Sequence, residues 1–276
     1  MANEVAVQKK QGIASFLASD AVKANVMSVV GEKDAQRFIS SVVSAVQTNP
    51  QLAECTNTSI LSAALLGHSL NLPQSPQLGY FYMVPYKGKN GTEAQFQISY
   101  RGLVQLAMRS GQYKKIVVVG IKEGELEFYS PITEEFRFNA IEEHSTREAK
   151  PTIGYYAMFE LVNGFKKEMY WSVERMESHA KKYSAAYRKG WDSCLWKSDF
   201  DAMAYKTMLK QIISKWGIMS VEMEKAYTND QAVIDENGNP EYVDNVPDEP
   251  EKAVDVMADA QVTEITEETD EKSDNA

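Results

Sequence analysis

The sequence has few cysteines and no long apolar run. Its 276 residues include two cysteines, Cys55 and Cys194, which are too few for a disulfide framework and have no partners at metal-ligand spacing. No apolar stretch approaches the ~20 residues that span a bilayer, and the first residues lead into no apolar signal core. We therefore expect a cytoplasmic protein, with no membrane partner and no metal site.

Recognisable catalytic motifs are also missing. The glycine-rich run Gly88-Lys89-Asn90-Gly91 has neither the Lys-Ser or Lys-Thr ending nor the spacing of a P-loop. The three histidines are far apart in sequence and form no ligand pair with each other or with a cysteine: His68, His144 and His179. These absences argue against an ATP motor and predict a protein that is not an enzyme and requires no cofactor.

One acidic cluster leaves an enzyme reading open. Glu123, Glu125 and Glu127 could belong to the site of a metal nuclease. Their period-two spacing beside Gly124 is better explained by the solvent-facing side of a hairpin. We therefore keep a metal nuclease only as an alternative.

Negative charge is abundant but confined to one end of the chain. The net charge is -10, yet residues 1–227 hold 27 Lys+Arg against 23 Asp+Glu, while residues 228–276 hold 2 against 16. The acidic stretch has a single aromatic residue, Tyr242, and several Asn, Gly and Pro residues that favour turns. Such a composition buries too little apolar surface to order the chain. We predict a folded, weakly basic domain over residues 1–227 and a disordered acidic tail over residues 228–276.

The folded part begins with helices and continues with strands. Residues 34–50 and 57–70 place apolar side chains at helical spacing, and residues 10–18 are a less clear helix. From Gly79 the period changes to two, and residues 80–87 and 93–100 resemble the two strands of a hairpin. In the second strand, Glu93, Gln95, Gln97 and Ser99 are predicted to form the side that faces water.

Further strands and helices complete the pattern. A short helix is predicted over Gly102–Arg109, followed by strands at residues 115–121, 125–129 and 136–138. Asn163-Gly164 predicts a tight hairpin turn, because both residues tolerate positive φ. Helices are expected again after Ser172 and from about Asp199. Helices, an antiparallel sheet and helices again indicate the α+β class.

Positive charge and aromatic rings are mixed near the end of the predicted domain. Between Lys166 and Lys215 there are 11 Lys+Arg against 6 Asp+Glu. The rings in this stretch are Tyr170, Trp171, Tyr183, Tyr187, Trp191, Trp196, Tyr205 and Trp216. Cations neutralise phosphates and rings stack on bases, which suits single-stranded nucleic acid. The alternative, that the rings form core and the cations are only solvated, remains equally open.

Several residues are candidates for contact with nucleic acid. Lys206 and Lys210 are four apart on a helix face separate from its apolar residues. Tyr86, Tyr100 and Arg101 lie at the predicted ends of strands and a helix, where ligand contacts gather. The other candidate cations are Lys87, Lys89, Arg109, Lys114, Lys115, Arg175, Lys182 and Lys189.

The folded part carries an ordered set of short motifs. The first block holds Leu72-Pro73, Tyr82-Met83-Val84-Pro85-Tyr86, Gln95-Phe96-Gln97, Tyr100-Arg101-Gly102-Leu103 and Arg109-Ser110-Gly111. The second block is the Asp-x-Met-x-x-Lys-Thr helix within residues 196–207. Over roughly residues 30–220, these motifs resemble the RecT family of phage single-strand annealing recombinases, which implies a bacterial host cell.

This resemblance implies an activity and partners. It implies an ATP-independent protein that coats single-stranded DNA, anneals it to a complementary strand, and assembles into rings or helical filaments. The implied partners are single-stranded DNA, the annealed duplex, other copies of the chain, a RecE-type 5'-to-3' exonuclease and a host single-strand-binding protein. No cofactor is expected, although magnesium would assist annealing by screening phosphates.

Two other functions fit the same features. A passive single-strand-binding protein also combines aromatic rings, basic side chains and an acidic C-terminal tail. A structural protein could use a basic body and an acidic tail for self-assembly without DNA. Annealing of two complementary strands would distinguish an annealing protein from a passive single-strand-binding protein. Assembly that is indifferent to oligonucleotide would favour the structural protein.

Overall fold

The computed structural model of the chain describes residues 11–75, 77–88, 91–190, 194–235 and 237–242. Its α-helices are α1 (Ile13–Leu17), α2 (Asp20–Val30), α3 (Glu32–Thr48), α4 (Asn57–Ser69), α5 (Tyr100–Arg109), α6 (His144–Glu148), α7 (Val173–Tyr183), α8 (Ala185–Arg188), α9 (Leu195–Ser198), α10 (Phe200–Trp216) and α11 (Val221–Thr228). A 3-10 helix spans Pro50–Glu54. Among the described residues, no helix is both long and apolar enough to cross a membrane.

The strands are all antiparallel to their neighbours. Their bounds are β1 (Phe81–Gly88), β2 (Gly91–Ile98), β3 (Tyr113–Lys122), β4 (Leu126–Ser130), β5 (Glu135–Phe138), β6 (Thr152–Leu161), β7 (Lys166–Ser172), β8 (Ala232–Ile234) and β9 (Pro240–Tyr242). They form one sheet in the order β1-β2-β8-β9, a second in the order β3-β6-β7, and the separate pair β4-β5. The predicted α+β class is confirmed.

The predicted N-terminal helices are present. α3 buries one stripe of apolar side chains that includes Phe38, Val42 and Val46, as its helical spacing predicts. α4 starts where the Thr56 hydroxyl accepts a hydrogen bond from the backbone N–H of Ser59, at 3.4 Å. α4 is buried along most of its length and packs on the first sheet, where the Ser59 hydroxyl accepts from the backbone N–H of Ala94 at 2.8 Å.

The first sheet differs from its prediction on one side of β2. Gln95 and Gln97 were expected to face water, but they are 1% and 9% exposed. The prediction is wrong because that side of β2 is covered by the rest of the fold: Gln97 lines the same cavity as Tyr205 and Lys206 of α10. β8 also pairs with β2 at Gln95 and Phe96, which makes β2 a central strand. The Gln97 side-chain amide donates to the Gln95 side-chain carbonyl at 3.3 Å.

The second sheet is covered on both faces. α7 and α10 pack against β6 and β7. The β4-β5 pair supplies Tyr129 and Phe136, which pack with Tyr156 and Tyr170 in a separate small apolar cluster. The predicted turn joins β6 to β7 at Asn163-Gly164, where Gly164 has a φ of +89° and the Asn163 side chain accepts from the backbone N–H of Phe165.

The folded part extends beyond the predicted boundary at residue 227. Asp230 is 4% exposed, and the residues of β8 are at most 5% exposed. The boundary at 228 is therefore wrong, because an apolar triplet, Ala232-Val233-Ile234, follows a buried acid within a stretch whose average composition is acidic. Residues 1–242 hold 27 Lys+Arg against 27 Asp+Glu, so this part is neutral overall rather than weakly basic. Residues 243–276 lie outside the described residues, and their disorder stays a prediction.

Candidate nucleic-acid interface

A cleft of about 610 Å³ lies between the first sheet, the start of α5 and the first half of α10. From the sheet side it is lined by Tyr82, Val84 and Gln97. From the helix side it is lined by the segment Ser99–Arg101 and by residues of α10 that include Tyr205 and Lys206. The cleft therefore combines an exposed ring, Tyr82, and an exposed cation, Arg101, with the buried polar side chains of Gln97 and Lys206.

The rim of the cleft is set by the turn before β1 and by the start of α5. The Ser99 hydroxyl accepts from the backbone N–H of Gly102 at 3.1 Å and donates to the Gly79 carbonyl, which ties the helix start to the turn. Gly79 has a φ of +58°, and a Cβ placed there would lie 2.8 Å from the Tyr82 hydroxyl. A larger residue than glycine would thus displace the Tyr82 side chain.

Tyr82, Tyr100 and Arg101 form one corner of the cleft. Tyr82 is 48% exposed. The Arg101 guanidinium donates from Nε to the Tyr100 hydroxyl at 3.3 Å, and Arg101 is itself exposed. This corner presents an aromatic ring and a fixed positive charge side by side, which are the two groups that bind a base and its phosphate in single-stranded nucleic acid.

A chain of aromatic contacts connects this corner to the second sheet. The rings of Tyr100 and Tyr205 pack edge-on with 5.6 Å between their centroids, and those of Tyr205 and Tyr155 pack edge-on with 5.9 Å between theirs. The Tyr155 hydroxyl donates to Asp201 at 2.6 Å. Burial, followed by the hydrogen bond to Asp201, raises the pKa of Tyr155 well above its usual range. These contacts hold the start of α10 against β6 and fix the wall of the cleft.

Lys206 lies at the cleft but is not on an open face of α10. Its side chain is 6% exposed, and its ammonium donates to Asp230 Oδ1 at 2.8 Å. We predicted that Lys206 and Lys210 contact DNA from a helix face separate from the apolar residues of α10. The structure instead buries Lys206, because Asp230 reaches α10 from the segment after α11. Lys210 is 30% exposed and donates to the other oxygen, Asp230 Oδ2, also at 2.8 Å.

The ionisation of this group follows from burial and charge together. Burial alone would raise the pKa of Asp230, but the ammonium groups of Lys206 and Lys210 outweigh it, so the pKa is lowered. Burial lowers the pKa of Lys206, while Asp230 opposes that change. Asp230 Oδ1 also accepts from the backbone N–H of Ile98 at 3.1 Å. The carboxylate therefore ties α10 to the end of β2.

Of the predicted contacts Tyr86, Tyr100 and Arg101, only two lie in the cleft. Tyr100 and Arg101 line it, whereas Tyr86 pairs with Glu93 in the β1-β2 ladder and does not line it. Lys87 is exposed beyond Tyr86 on the same strand, and Lys89 lies outside the described residues.

Arg109, predicted to contact DNA, instead stabilises the end of α4. Its guanidinium donates to the carbonyls of Leu70 and Asn71 at 2.6 and 2.9 Å. These bonds provide partners for carbonyl groups that follow the last turn of α4. Lys114 forms an ion pair with Glu160 at 2.5 Å, and Lys115 is exposed next to it on β3. None of these cations lines the cleft.

A second surface with rings and cations lies on α7. The Arg175 guanidinium stands 4.4 Å from the centre of the Trp171 ring, and the Lys182 ammonium stands 5.1 Å from that of Tyr183. Lys189 is exposed after α8. Burial, followed by the nearby charges of Lys182, Lys210 and Arg175, lowers the pKa of His179 between these residues. The structure thus places only some of the predicted contacts on these two surfaces: Tyr100, Arg101 and Lys206 line the cleft, and Arg175 and Lys182 lie on the α7 surface.

The aromatic residues of the basic segment also divide between core and surface. Trp171 and Trp196 are each 7% exposed and belong to the core, as the alternative interpretation of this segment held. Tyr183 and Trp216 are 49% and 52% exposed. Trp191 lies outside the described residues.

The acidic cluster does not form an open hairpin face throughout. Glu125 is 8% exposed, and its carboxylate accepts from Arg147 Nε at 2.5 Å and from the backbone N–H of Lys122 at 2.7 Å. The expectation that Glu125 faces solvent is therefore wrong. Within the part of the chain that the structure describes, no three His, Cys, Asp or Glu side chains are grouped to hold a metal ion.

Some residues in the cleft or next to it were not predicted. Tyr82 stands in the Tyr-x-x-Pro-Tyr motif, so its signal was available, but only Tyr86 of that motif was chosen. Asp230 had no local signal, because it is one acid among many in an acidic stretch and its partners are 24 and 20 residues away along the chain.

Comparison with known proteins gives consistent matches. The sequence model of the RecT family matches residues 36–244. The uncharacterized protein YqaK of Bacillus subtilis (strain 168) is 42% identical over 229 residues, which are 83% of this chain and 73% of that protein. Protein RecT of Escherichia coli (strain K12) is 25% identical over 232 residues, which are 82% of each chain.

Proposed function

Because the chain belongs to the RecT family, we propose that it binds single-stranded DNA in the cleft and anneals it to a complementary strand in phage-type homologous recombination, as an oligomer and without ATP. The observation that carries the binding site is the corner of Tyr82, Tyr100 and Arg101. An exposed ring next to a guanidinium offers stacking and a phosphate contact without reading the base edges.

Sequence-independent contact is what annealing needs. A surface that holds one strand by its phosphates and by partial stacking leaves the base edges available, so base pairing itself selects the partner strand. Pairing and stacking release about 1.4 kcal/mol per base-pair step. A short complementary segment therefore supplies enough free energy to drive annealing, and nucleotide hydrolysis is not needed.

Self-association supplies the remaining part of the mechanism. Many subunits along one strand remove its hairpins and raise the local concentration of pairable bases, which is an effect of multivalency. The α7 surface, with Arg175, Lys182 and Tyr183, gives each subunit a second place where cations lie beside an exposed ring. We propose that this surface extends the path of the DNA along the oligomer.

The remaining roles are part of the same proposal. A RecE-type 5'-to-3' exonuclease would supply the single strands, and a host single-strand-binding protein would be displaced from them. Magnesium would assist only by screening phosphates, so it is not a required cofactor.

An annealing assay tests the proposed function. Two complementary oligonucleotides, one with a fluorophore and one with a quencher, are mixed with the protein in chelator and without nucleotide. We expect faster quenching than in protein-free buffer, and no loss of labelled ends when magnesium is added. Binding without acceleration would instead indicate a passive single-strand-binding protein. Assembly that ignores oligonucleotide would indicate a scaffold, and loss of labelled ends with magnesium a nuclease.

A further inference from the structure

The trio of Lys206, Asp230 and Lys210 is the most enclosed group of charges at the cleft. The Asp230 side chain is fully buried, and its two oxygens accept from the two ammonium groups at 2.8 Å each. A third donor, the backbone N–H of Ile98, lies 3.1 Å from Oδ1. Ile98 and Lys206 both line the cleft, so the trio adjoins the space where we place DNA.

The trio has one positive charge that its own carboxylate does not balance. Two ammonium groups share one carboxylate, and Lys210 remains 30% exposed while Lys206 is 6% exposed. Asp199 and Asp201 also line the cleft. Their carboxylates accept from the backbone N–H of Ala202 and from the Tyr155 hydroxyl rather than from either lysine. An anion beside the trio would balance its charge.

We propose that Asp230 is a positioning residue for DNA binding, which holds Lys206 and Lys210 so that their surplus charge receives one backbone phosphate of a single strand. This inference rests on the proposed function and adds to it a residue that touches no DNA. Lys206 and Lys210 are one turn apart on α10, and their long side chains have many rotamers in the absence of a fixed partner. Asp230 confines both ammonium groups to one place.

The proposal makes a prediction of opposite sign to simple electrostatics. If Asp230 only cancelled positive charge, its replacement by asparagine would remove a negative charge near the DNA and tighten binding. If Asp230 positions the lysines, Asp230→Asn frees both ammonium groups and loses the phosphate contact. Each phosphate contact contributes about 0.7 to the slope of log affinity against log salt for single strands.

The experiment measures the affinity of the full chain for an oligothymidine across a salt series, by fluorescence anisotropy. We expect Asp230→Asn to weaken binding and to reduce the salt slope by about 0.7. Tighter binding, or weaker binding with the parent slope, would overturn the proposal. A purely structural role for Asp230 would lower the unfolding midpoint and leave the slope unchanged.

A second variant removes the dependence on how well Asp230→Asn folds. Lys206→Met keeps the Asp230–Lys210 ion pair and the bond to Ile98, and it should lower the slope by the same amount. The double variant should lose no more slope than either single one, because both remove one contact. A parent slope in Lys206→Met, or additive losses in the double variant, would contradict the proposal.

Lys215→Met is the matched control. Lys215 is exposed on the same helix and does not line the cleft. It should keep more of the parent slope than Lys206→Met, and an equal loss would show that any cation on α10 has the same effect. If the unaltered chain binds no single-stranded DNA, the proposed function fails and this inference with it. If it binds and the variants keep its slope, only the role of Asp230 fails.

Discussion

Two truncations placed on either side of β8 should have opposite effects. A chain ending after Tyr227 lacks Asp230 and β8, whereas a chain ending after Tyr242 keeps both and loses only the residues beyond the described fold. The two products differ by 15 positions in a chain of 276. We expect the longer one to fold like the parent and the shorter one to be severely destabilised.

The magnitude follows from what the shorter chain loses. Val233 and Ile234 are each 5% exposed, and burial of such side chains contributes about 1.5–3 kcal/mol each as an upper estimate. The loss of Asp230 leaves the buried Lys206 without its carboxylate, which costs about 3–5 kcal/mol. Together these losses amount to about 6–11 kcal/mol, against a usual stability of about 5–15 kcal/mol for a whole domain.

Urea unfolding followed by circular dichroism measures both products. The chain ending after Tyr242 should keep the parent midpoint, and the chain ending after Tyr227 should have a much lower midpoint or no cooperative transition. Equal midpoints for the two products would refute the reasoning, because β8 and Asp230 would then contribute nothing measurable to the fold.

Four further changes have definite expected outcomes. Arg101→Ala should reduce the salt slope of single-strand binding by about 0.7 with an unchanged urea midpoint, since Arg101 is exposed; an unchanged slope would remove it from the site. Tyr82→Ala should weaken binding by about 1–3 kcal/mol through lost stacking, and Tyr82→Phe should restore most of it in the same titration. Gly102→Ala should reduce the free energy of unfolding by about 1–3 kcal/mol and so lower the urea midpoint, because the new Cβ would clash with the carbonyl oxygen of Tyr80; a parent midpoint would contradict this packing. Because the pKa of Asp230 is lowered in the fold, its carboxylate stabilises the protein at neutral pH, and this contribution is lost as the pH falls below about 4; the urea midpoint should therefore fall less steeply with acid in Asp230→Asn than in the parent.

Local patterns in the sequence predicted most of the elements. Helix α3 and the turn at Asn163-Gly164 depend on residues within a few positions of each other, so periodicity and turn chemistry were sufficient. β8 was not predicted because three apolar residues within an acidic stretch carry little local signal. Its place in the fold depends on pairing with β2, more than 130 residues earlier.

In the candidate site, too, residues with a local signal were predicted and those that depend on distant contacts were not. Arg101 and Tyr100 were predicted from their place at the start of a helix, and both line the cleft. The burial of Lys206 could not be predicted, because a helical wheel shows the polar character of a residue but not the distant carboxylate that neutralises it. Tyr82 was missed because alternation along β1 does not show which face of the strand will border a cleft.

The central claim is that single-stranded DNA binds in the cleft beside Tyr82, Tyr100 and Arg101. Photocrosslinking with an oligonucleotide that contains bromodeoxyuridine, followed by mass spectrometry of the linked peptides, tests it directly. We predict crosslinks to the peptides that contain Tyr82 and Tyr100, with loss of the Tyr82 crosslink in Tyr82→Ala. Crosslinks confined to the α7 surface, at Tyr183, and unaffected by Tyr82→Ala, would contradict this account and place the DNA on the other surface.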